Sequence, residues 1–241
     1  MSKPLIEVEN LKKYFPLGKN PFSKKNGRVV KAVDNVSFQI NEGECFGLVG
    51  ESGSGKSTTG SCILNLLQPT GGKVYFDGKP IFDEEKGIAL NRKEMMEYRK
   101  EMQIIFQDPN ASLDPRMTVG QIVEEGIKKH KIASGREASE LAAYYLELCG
   151  QKQRIGIARA LAVKPRFVVA DEPLSALDVS IQSQVLNLMS ELKEKLGLTY
   201  LYISHDLKTV EYFCDKVGVL YLGTLFETGT TKETMMEPLH P

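Results

Sequence analysis

Residues 45–58 read CFGLVGESGSGKST, in which a short apolar run leads into a glycine-rich loop. The loop fits the pattern G-x-x-x-x-G-K-[ST]. Glycines let successive backbone N–H groups turn inward and approach phosphate oxygens that a Cβ atom would crowd. The pattern therefore predicts a phosphate-binding site, formed by Gly50, Ser52, Gly53, Ser54, Gly55, Lys56, Ser57 and Thr58.

Two side chains of this loop have predicted roles toward a nucleotide. Lys56 supplies a positive charge to the β- and γ-phosphates, and the hydroxyl of Ser57 is a ligand for Mg²⁺. A helix expected over Ser57–Leu67 directs the positive end of its dipole at the same anion. A glycine-rich turn formed by chance is disfavoured, because a strand precedes this loop and a helix follows it. The stretch indicates a nucleotide-binding protein.

A second segment places two acids at the end of an apolar strand. Residues 167–173 read FVVADEP, so Asp171 and Glu172 are expected at the carboxyl edge of a sheet, where α/β folds bind ligands. Asp171 would hold Mg²⁺ and Glu172 would polarise a water molecule, as a general base does. A pair of acids at a strand end is often only a solvated turn, but the phosphate loop favours the functional interpretation.

Composition excludes few classes of protein. The chain has 241 residues, and its 31 Lys and Arg balance its 31 Asp and Glu, so no global charge attracts nucleic acid or anionic lipid. No apolar run approaches the ~20 residues that span a bilayer. The scattered cysteines are expected to be buried, reduced thiols. They are Cys45, Cys62, Cys149 and Cys214.

Hydrophobic periodicity predicts an α/β fold with two kinds of sheet. Alternating segments near the N-terminus predict an antiparallel β layer, and later apolar strands separated by helices predict a parallel sheet. Residues 17–28 are expected to form an exposed loop. We expect one domain over residues 1–241, with a core of 1–114 and 151–241 and a helical insertion at about 115–150. The predicted strands are Leu5–Val8, Lys31–Ile40, Gly71–Gly78, Gln103–Phe106, Phe167–Ala170, Tyr200–Ile203 and Val217–Tyr221.

With further segments, the chain resembles the ATP-binding subunits of ABC transporters. The segments are IIFQDP at 104–109, SALD at 175–178 and ISHD at 203–206. The resemblance implies a P-loop (RecA-like) core with an inserted helical subdomain, and ATP and Mg²⁺ as cofactors. It also implies that Gln107 reaches Mg²⁺ and the attacking water, and that His205 contacts the γ-phosphate. Tyr14 would stack on adenine, and Asp178 belongs to the segment called the D-loop.

Other segments resemble the ATPases of oligopeptide and dipeptide importers in particular. These are VKAVDNVSF at 30–38, DPNASLDPRM at 108–117 and PLHP at 238–241, past which members commonly continue. The resemblance implies a peripheral protein on the cytoplasmic face of the membrane. Its implied partners are a homologous ATP-binding subunit, in a homodimer or heterodimer, permease subunits and, indirectly, a substrate-binding protein. No nucleic-acid partner is expected.

One departure from the family concerns its signature, Leu-Ser-Gly-Gly-Gln, which is expected just before Lys152. Residues 147–151 read ELCGQ, so only Gly150 and Gln151 fit and the serine is absent. Either the protein has a true deletion, or a disordered loop is absent from this sequence. We favour the second interpretation, because removal of the linker and signature would leave one predicted helix running into the next without a turn. It predicts abnormal spacing of consecutive Cα atoms between Leu148 and Lys152.

The motifs favour an ATPase that drives transport, and three other functions are less consistent with the sequence. A non-transport member of the superfamily, acting in DNA repair or on the ribosome, is disfavoured by the neutral charge. A low-turnover regulatory partner subunit is supported by the incomplete signature and opposed by the presence of Gln107, Glu172 and His205. A generic P-loop kinase or GTPase does not account for the combined motifs. The cargo, a dipeptide, an oligopeptide or nickel, stays open.

Overall fold

The computed structural model describes residues 3–17, 28–107, 113–149, 155–175 and 177–239. Its strands in chain order are β1 (Pro4–Pro16), β2 (Val29–Asn41), β3 (Cys45–Val49), β4 (Gly71–Phe76), β5 (Lys79–Asp83), β6 (Ile88–Ala89), β7 (Met102–Ile105), β8 (Phe167–Asp171), β9 (Thr199–Ile203), β10 (Lys216–Tyr221) and β11 (Thr224–Thr230). Its helices are α1 (Lys56–Ile63), α2 (Met95–Glu101), α3 (Val119–Lys129), α4 (Gly135–Cys149), α5 (Ile155–Leu161), α6 (Val179–Leu196), α7 (Leu207–Phe213) and α8 (Thr231–Met236).

The N-terminal strands form an antiparallel sheet in the order β2-β1-β4-β5-β6. Its inner face comes from residues that alternate with exposed ones, and on β2 these are Val36, Phe38 and Ile40. Phe38 stacks on Phe46 of β3 at 4.7 Å between ring centroids, so this sheet packs against the second one. The predicted antiparallel layer is confirmed.

The second sheet has the order β11-β10-β3-β9-β8-β7. Every pair is parallel except β10 with β11. Strands β3 and β9 are buried at every position, as continuous apolar strands covered on both faces are. Because neighbouring strands run in one direction, their carboxyl ends meet at one edge. This arrangement confirms the predicted α/β core.

The helix after the phosphate loop is shorter than the sequence predicts. Its expected range was Ser57–Leu67, but α1 ends at Ile63. Asn65 has a left-handed backbone with φ of 50°, and the amides of Leu66 and Leu67 both donate to the carbonyl of Ser61. A left-handed residue after the last turn closes the helix in this way, so the predicted end was wrong.

Helices α3 and α4 lie between β7 and β8 in the chain and pack on α5 and on each other. Helix α3 begins with a capping box, in which Thr118 and Gln121 bond each other's backbone amides. Its buried face includes Ile122, Val123 and Ile127, as its periodicity predicts. The domain boundaries stay predictions.

Two predicted features lie outside the described residues. Residues 18–27 make up most of the predicted exposed loop, and Gly150–Arg154 include most of the segment in which abnormal Cα spacing was expected. The four cysteines are buried and form no disulfide with one another, and the Sγ atoms of Cys45 and Cys214 lie 3.4 Å apart. Within the described ranges, no helix has both the length and the apolar character needed to cross a membrane.

Candidate nucleotide-binding site

The phosphate loop contains two positions at which the backbone accepts only glycine. Gly50 and Gly55 have φ of 147° and 105°. A Cβ atom on Gly50 would lie 2.0 Å from the carbonyl oxygen of Leu220, and one on Gly55 would lie 2.0 Å from that of Ala32. Both the backbone conformation and the close approach therefore require glycine.

Lys56 turns its ammonium group back onto this loop. The side chain is buried, and Nζ donates to the carbonyl oxygens of Gly50 and Glu51, each over 2.8 Å. Burial lowers the pKa of Lys56, and the nearby carboxylates of Glu172 and Asp171 act in the opposite direction. A buried ammonium beside backbone amides is a suitable partner for phosphate oxygens.

The loop opens into a pocket of about 220 Å³. The pocket contains the predicted phosphate-loop residues, apart from Gly50 and Ser54, together with side chains from other elements. Its lining is Ala32, Ser52, Gly53, Gly55, Lys56, Ser57, Thr58, Gln107 and Glu172. A triphosphate fits this lining, because it combines glycine backbone, one ammonium group and hydroxyls.

Ser57 and Asp171 meet at the edge of this pocket. Ser57 Oγ donates to Asp171 Oδ1 over 2.8 Å. Burial raises the pKa of Asp171, against the hydrogen bond from Ser57, which lowers it. A hydroxyl and a carboxylate are oxygen ligands of the kind that Mg²⁺ prefers, and Mg²⁺ commonly takes only one or two protein ligands beside substrate phosphates. The described residues contain no cluster of three or more His, Cys, Asp or Glu that could hold a metal by itself.

Glu172 is held between two other predicted site residues. Gln107 Nε2 donates to Glu172 Oε2 over 3.0 Å, and His205 Nδ1 lies 3.3 Å from Glu172 Oε1. The backbone of Glu172 is left-handed, with φ of 45°, and its amide donates to Ile203 over 2.9 Å. A left-handed residue other than glycine costs about 1–3 kcal/mol and is often found at functional sites.

The register of the parallel sheet explains why these residues meet. Asp171 pairs with Ile203, and Ile203 also pairs with Leu48 on the other side. Ile105 pairs with Ala170. The residues that follow these positions therefore lie side by side at one sheet edge, namely Gly50, Gln107, Glu172 and His205.

Tyr14 and Asp178 lie apart from both the phosphate pocket and the sheet edge beside it. Tyr14 on β1 donates its hydroxyl to Asp34, and Ala32 of the neighbouring strand lines the pocket instead. Asp178 lies immediately before α6 and lines neither this pocket nor the one beside His205. Their roles toward the nucleotide stay predictions.

Sequence analysis missed several residues around the site. Ala32 has no chemical group that a motif could reveal, and only the packing of β2 on Gly55 places it there. Glu172 and His205 also line a second pocket of about 110 Å³, which reaches Ser175, Gln182 and Thr209. Gln182 belongs to no recognisable motif. Its Nε2 donates to the carbonyl oxygens of Leu174 and Leu177.

Comparison with known proteins agrees with this geometry. A family model described as ABC transporter matches residues 33–175. The chain belongs to the ABC transporter family. It is an ATP-hydrolysing subunit of that family, as the combined motifs predicted.

Two relatives and one solved structure illustrate the match. The chain is 46% identical to the oligopeptide transport ATP-binding protein OppF of Bacillus subtilis (strain 168), across 100% of this chain and 80% of the relative. It is 47% identical to OppF of Streptococcus mutans serotype c, across 99% of this chain and 79% of the relative. The dimeric post-hydrolysis structure of the ATP-binding cassette MJ0796 with ADP and Pi superposes with a TM-score of 0.80 at 29% identity, covering 94% of this chain and 98% of that one.

Proposed function

We propose that this ABC ATPase hydrolyses ATP to power a membrane importer of peptides. The observation that carries this proposal is the geometry of one sheet edge, where Lys56, Asp171, Glu172 and His205 meet around a pocket for phosphates. The cargo class is supported by the full-length similarity to oligopeptide transport ATP-binding proteins. The geometry of the sheet edge is the argument for ATP hydrolysis, and the similarity to these relatives is the argument for peptide transport.

Each residue of the edge has a role that fits its position. Lys56 exchanges its loop carbonyls for oxygens of the β- and γ-phosphates. Ser57 and Asp171 would hold Mg²⁺, which neutralises phosphate charge when it is bound.

The second group of residues acts on the attacking water. Glu172 accepts its proton, since its carboxylate lies in the pocket between Gln107 and His205. Gln107 donates one N–H bond and orients the carboxylate, and His205 lies where its free nitrogen can meet the γ-phosphate. Tyr14 stacks on the base and Asp178 approaches the nucleotide from the partner side.

The proposed assembly has a second ATP-binding subunit and permease subunits. The pocket beside Lys56 is partly open to solvent, and we infer that a homologous subunit completes it. The MJ0796 cassette was solved as a dimer with ADP and Pi. A substrate-binding protein would deliver peptide to the permease, and this subunit would lie on the cytoplasmic face of the membrane.

We place the contact with the permease near residues 107–117. Phe106 precedes Gln107 and is 39% exposed, and the guanidinium carbon of Arg159 on α5 lies 5.9 Å from the centroid of its ring. We infer that a displacement of the helical segment reaches the strand end that carries Gln107 through this contact. Residues 108–112 lie outside the described residues, and beyond them Arg116 forms an ion pair with Asp114.

A second candidate function is a low-turnover regulatory subunit in a heterodimer. It is favoured by one observation, the sequence ELCGQ at 147–151, which lacks the signature serine. The match to Bacillus subtilis OppF extends over 258 residues, whereas this chain has 241, so the relative carries residues that have no counterpart here. A true deletion and a stretch absent from this sequence would both leave this difference in length.

Reconstituted transport tests the proposal. The full chain, with its permease and partner subunit in lipid vesicles, should accumulate a labelled oligopeptide only when ATP is supplied. The Lys56→Ala variant should fail to bind ATP and to drive uptake, while Lys232→Ala, an exposed lysine change on α8, should not alter either. Hydrolysis that is stimulated by DNA or ribosomes and not by the permease would favour the non-transport alternative.

A further inference from the structure

Three side chains form a hydrogen-bonded group on the hairpin of β1 and β2, which we call the Tyr14 trio (Tyr14, Lys31 and Asp34). Tyr14 lies opposite Lys31 in the strand register. Its hydroxyl donates to Asp34 Oδ1, and Lys31 Nζ donates to Asp34 Oδ2 over 2.8 Å. The same Nζ lies 5.3 Å from the centroid of the Tyr14 ring. The ring is therefore fixed at its hydroxyl and along one face.

Backbone contacts join this trio to the phosphate loop. The amide of Asp34 donates to the carbonyl of Gly223 over 2.7 Å, and the amide of Gly223 donates to the carbonyl of Ser54 over 2.9 Å. Ala32, between Lys31 and Asp34, packs its carbonyl oxygen where a Cβ atom on Gly55 would stand. The position of the Tyr14 ring is thus tied to the loop that would hold the phosphates.

The charges of the trio stay in place at neutral pH. The bond from Lys31, and next the bond from Tyr14, lower the pKa of Asp34, while Asp34 raises the pKa of Lys31. The bond to Asp34 also raises the pKa of Tyr14, so the phenol remains a donor. Lys31 neutralises Asp34, which as a lone carboxylate would repel a triphosphate.

We propose that Asp34 and Lys31 are positioning residues for the nucleotide base, holding the Tyr14 ring in the plane on which adenine stacks. The proposal rests on the proposed function, in which Tyr14 meets the base. A ring that is already immobilised loses less side-chain entropy when the base binds. Stacking accepts any flat base, so the trio contributes affinity and not a choice between purines.

The same sheet contains a matched group that is absent from the pocket lining. Tyr75 donates its hydroxyl to Asp83 Oδ2 over 2.7 Å, and Lys86 Nζ lies 3.4 Å from the same oxygen. Lys86 Nζ also lies 5.6 Å from the centroid of the Tyr75 ring. Tyr75→Phe therefore removes the same kind of hydroxyl bond in the same sheet and serves as the control for Tyr14→Phe.

Calorimetric titration of the full chain with ATP and with inorganic tripolyphosphate tests the proposal. Tyr14→Ala should weaken ATP binding about 10- to 100-fold, the range of base–aromatic stacking. Tyr14→Phe, Asp34→Ala and Lys31→Ala should each weaken it about 2- to 10-fold, the size of one side chain's ordering cost. Tripolyphosphate affinity should not change in the Tyr14 and Asp34 variants, and Tyr75→Phe should leave both ligands unaffected. Lys31→Ala should weaken tripolyphosphate as well, because it leaves the carboxylate of Asp34 unneutralised.

A double variant adds a test of connection. The double variant with Tyr14→Phe and Asp34→Ala should bind ATP as tightly as the single variant that has the lower affinity. Both substitutions remove the same hydrogen bond, so their effects should not add. Equal losses for ATP and tripolyphosphate in the Tyr14 or Asp34 variants would overturn the proposal in favour of a structural role for the trio. Unchanged ATP binding in Asp34→Ala would also overturn it. If Lys56→Ala still binds ATP normally, the proposed function itself fails, which is a separate result.

Discussion

The side-chain amide of Gln107 donates to the carboxylate of Glu172 over 3.0 Å. The two residues follow neighbouring strands, β7 and β8, and the bond joins the strand end before the helical segment to the strand end with the acids. His205 approaches the other carboxylate oxygen at 3.3 Å. Any displacement of the Gln107 segment therefore changes how Glu172 is held, which links the position of the helices to the carboxylate that we propose as the general base.

The first prediction concerns the proton acceptor. Glu172→Gln keeps the shape of the side chain and removes its basicity. The variant should still bind ATP with near-normal affinity and lose about 10²–10⁴-fold in turnover, the usual contribution of a general base. Single-turnover hydrolysis and equilibrium binding measure the two quantities separately.

Glu211→Gln is the matched control for this change. Glu211 lies on α7 and is exposed, so the same chemical substitution should leave turnover intact. Near-normal hydrolysis by Glu172→Gln would remove Glu172 from the role and leave another group to activate water.

The second prediction concerns Asp171 and the direction in which its contribution to folding stability changes with pH. Because burial raises the pKa of Asp171, the folded protein binds more protons than the unfolded chain between the ordinary carboxyl pKa and the raised one. The stability contribution of this group therefore falls as pH rises through that window. At neutral pH the buried carboxylate opposes folding, and Asp171→Asn should raise the midpoint of thermal unfolding by a few degrees.

The gain from Asp171→Asn should disappear on acidification. Below about pH 3, well under the ordinary aspartate pKa of about 3.9, Asp171 is largely protonated in both states and the variant has no remaining advantage. The same variant should lose the part of its ATP affinity that depends on Mg²⁺ and keep the part measured in EDTA. A stability difference that does not vary with pH would contradict burial of the charge as its cause.

The third prediction concerns coupling to the permease. Arg116 and Asp114 form an exposed ion pair at 2.8 Å, just beyond the segment that carries Gln107. Replacing both with alanine should leave ATPase activity of the free subunit unchanged and reduce its stimulation by the permease several-fold. Arg136 and Glu140 form an exposed pair at 2.7 Å on α4, so their double alanine variant is the control. Full stimulation of the Asp114 and Arg116 variant would place the contact elsewhere.

The sequence predicted the site better than it predicted the packing around it. The phosphate loop and the acids at 171–172 were predictable because each follows an apolar strand in a short local pattern. The sheet register brings them together as expected. The end of α1 could not be predicted, because apolar residues continue through Leu67 while the backbone of Asn65 turns left-handed.

The Tyr14 trio shows what local patterns leave out. Tyr14 was predicted to face adenine, but its bond to Asp34 depends on the pairing of two strands separated by residues 18–27. Such cross-strand partners have no fixed sequence spacing, so motif analysis cannot select them. Ala32 was missed for the same reason, since its contact with Gly55 is made by a backbone carbonyl.

The last prediction decides between a deletion and a missing block at the signature. Trypsin cuts after Arg136 and Lys152, so the printed sequence requires a peptide EASELAAYYLELCGQK from residues 137–152. In protein from its natural source we expect instead a peptide that begins at Glu137 and continues into residues the sequence lacks, since residues 147–151 contain only the last two positions of the expected signature. The peptide of residues 117–128 in the same digest is the control for coverage. Detection of the 137–152 peptide would make the deletion real, and the chain would then hydrolyse ATP only beside a partner that carries the complete signature.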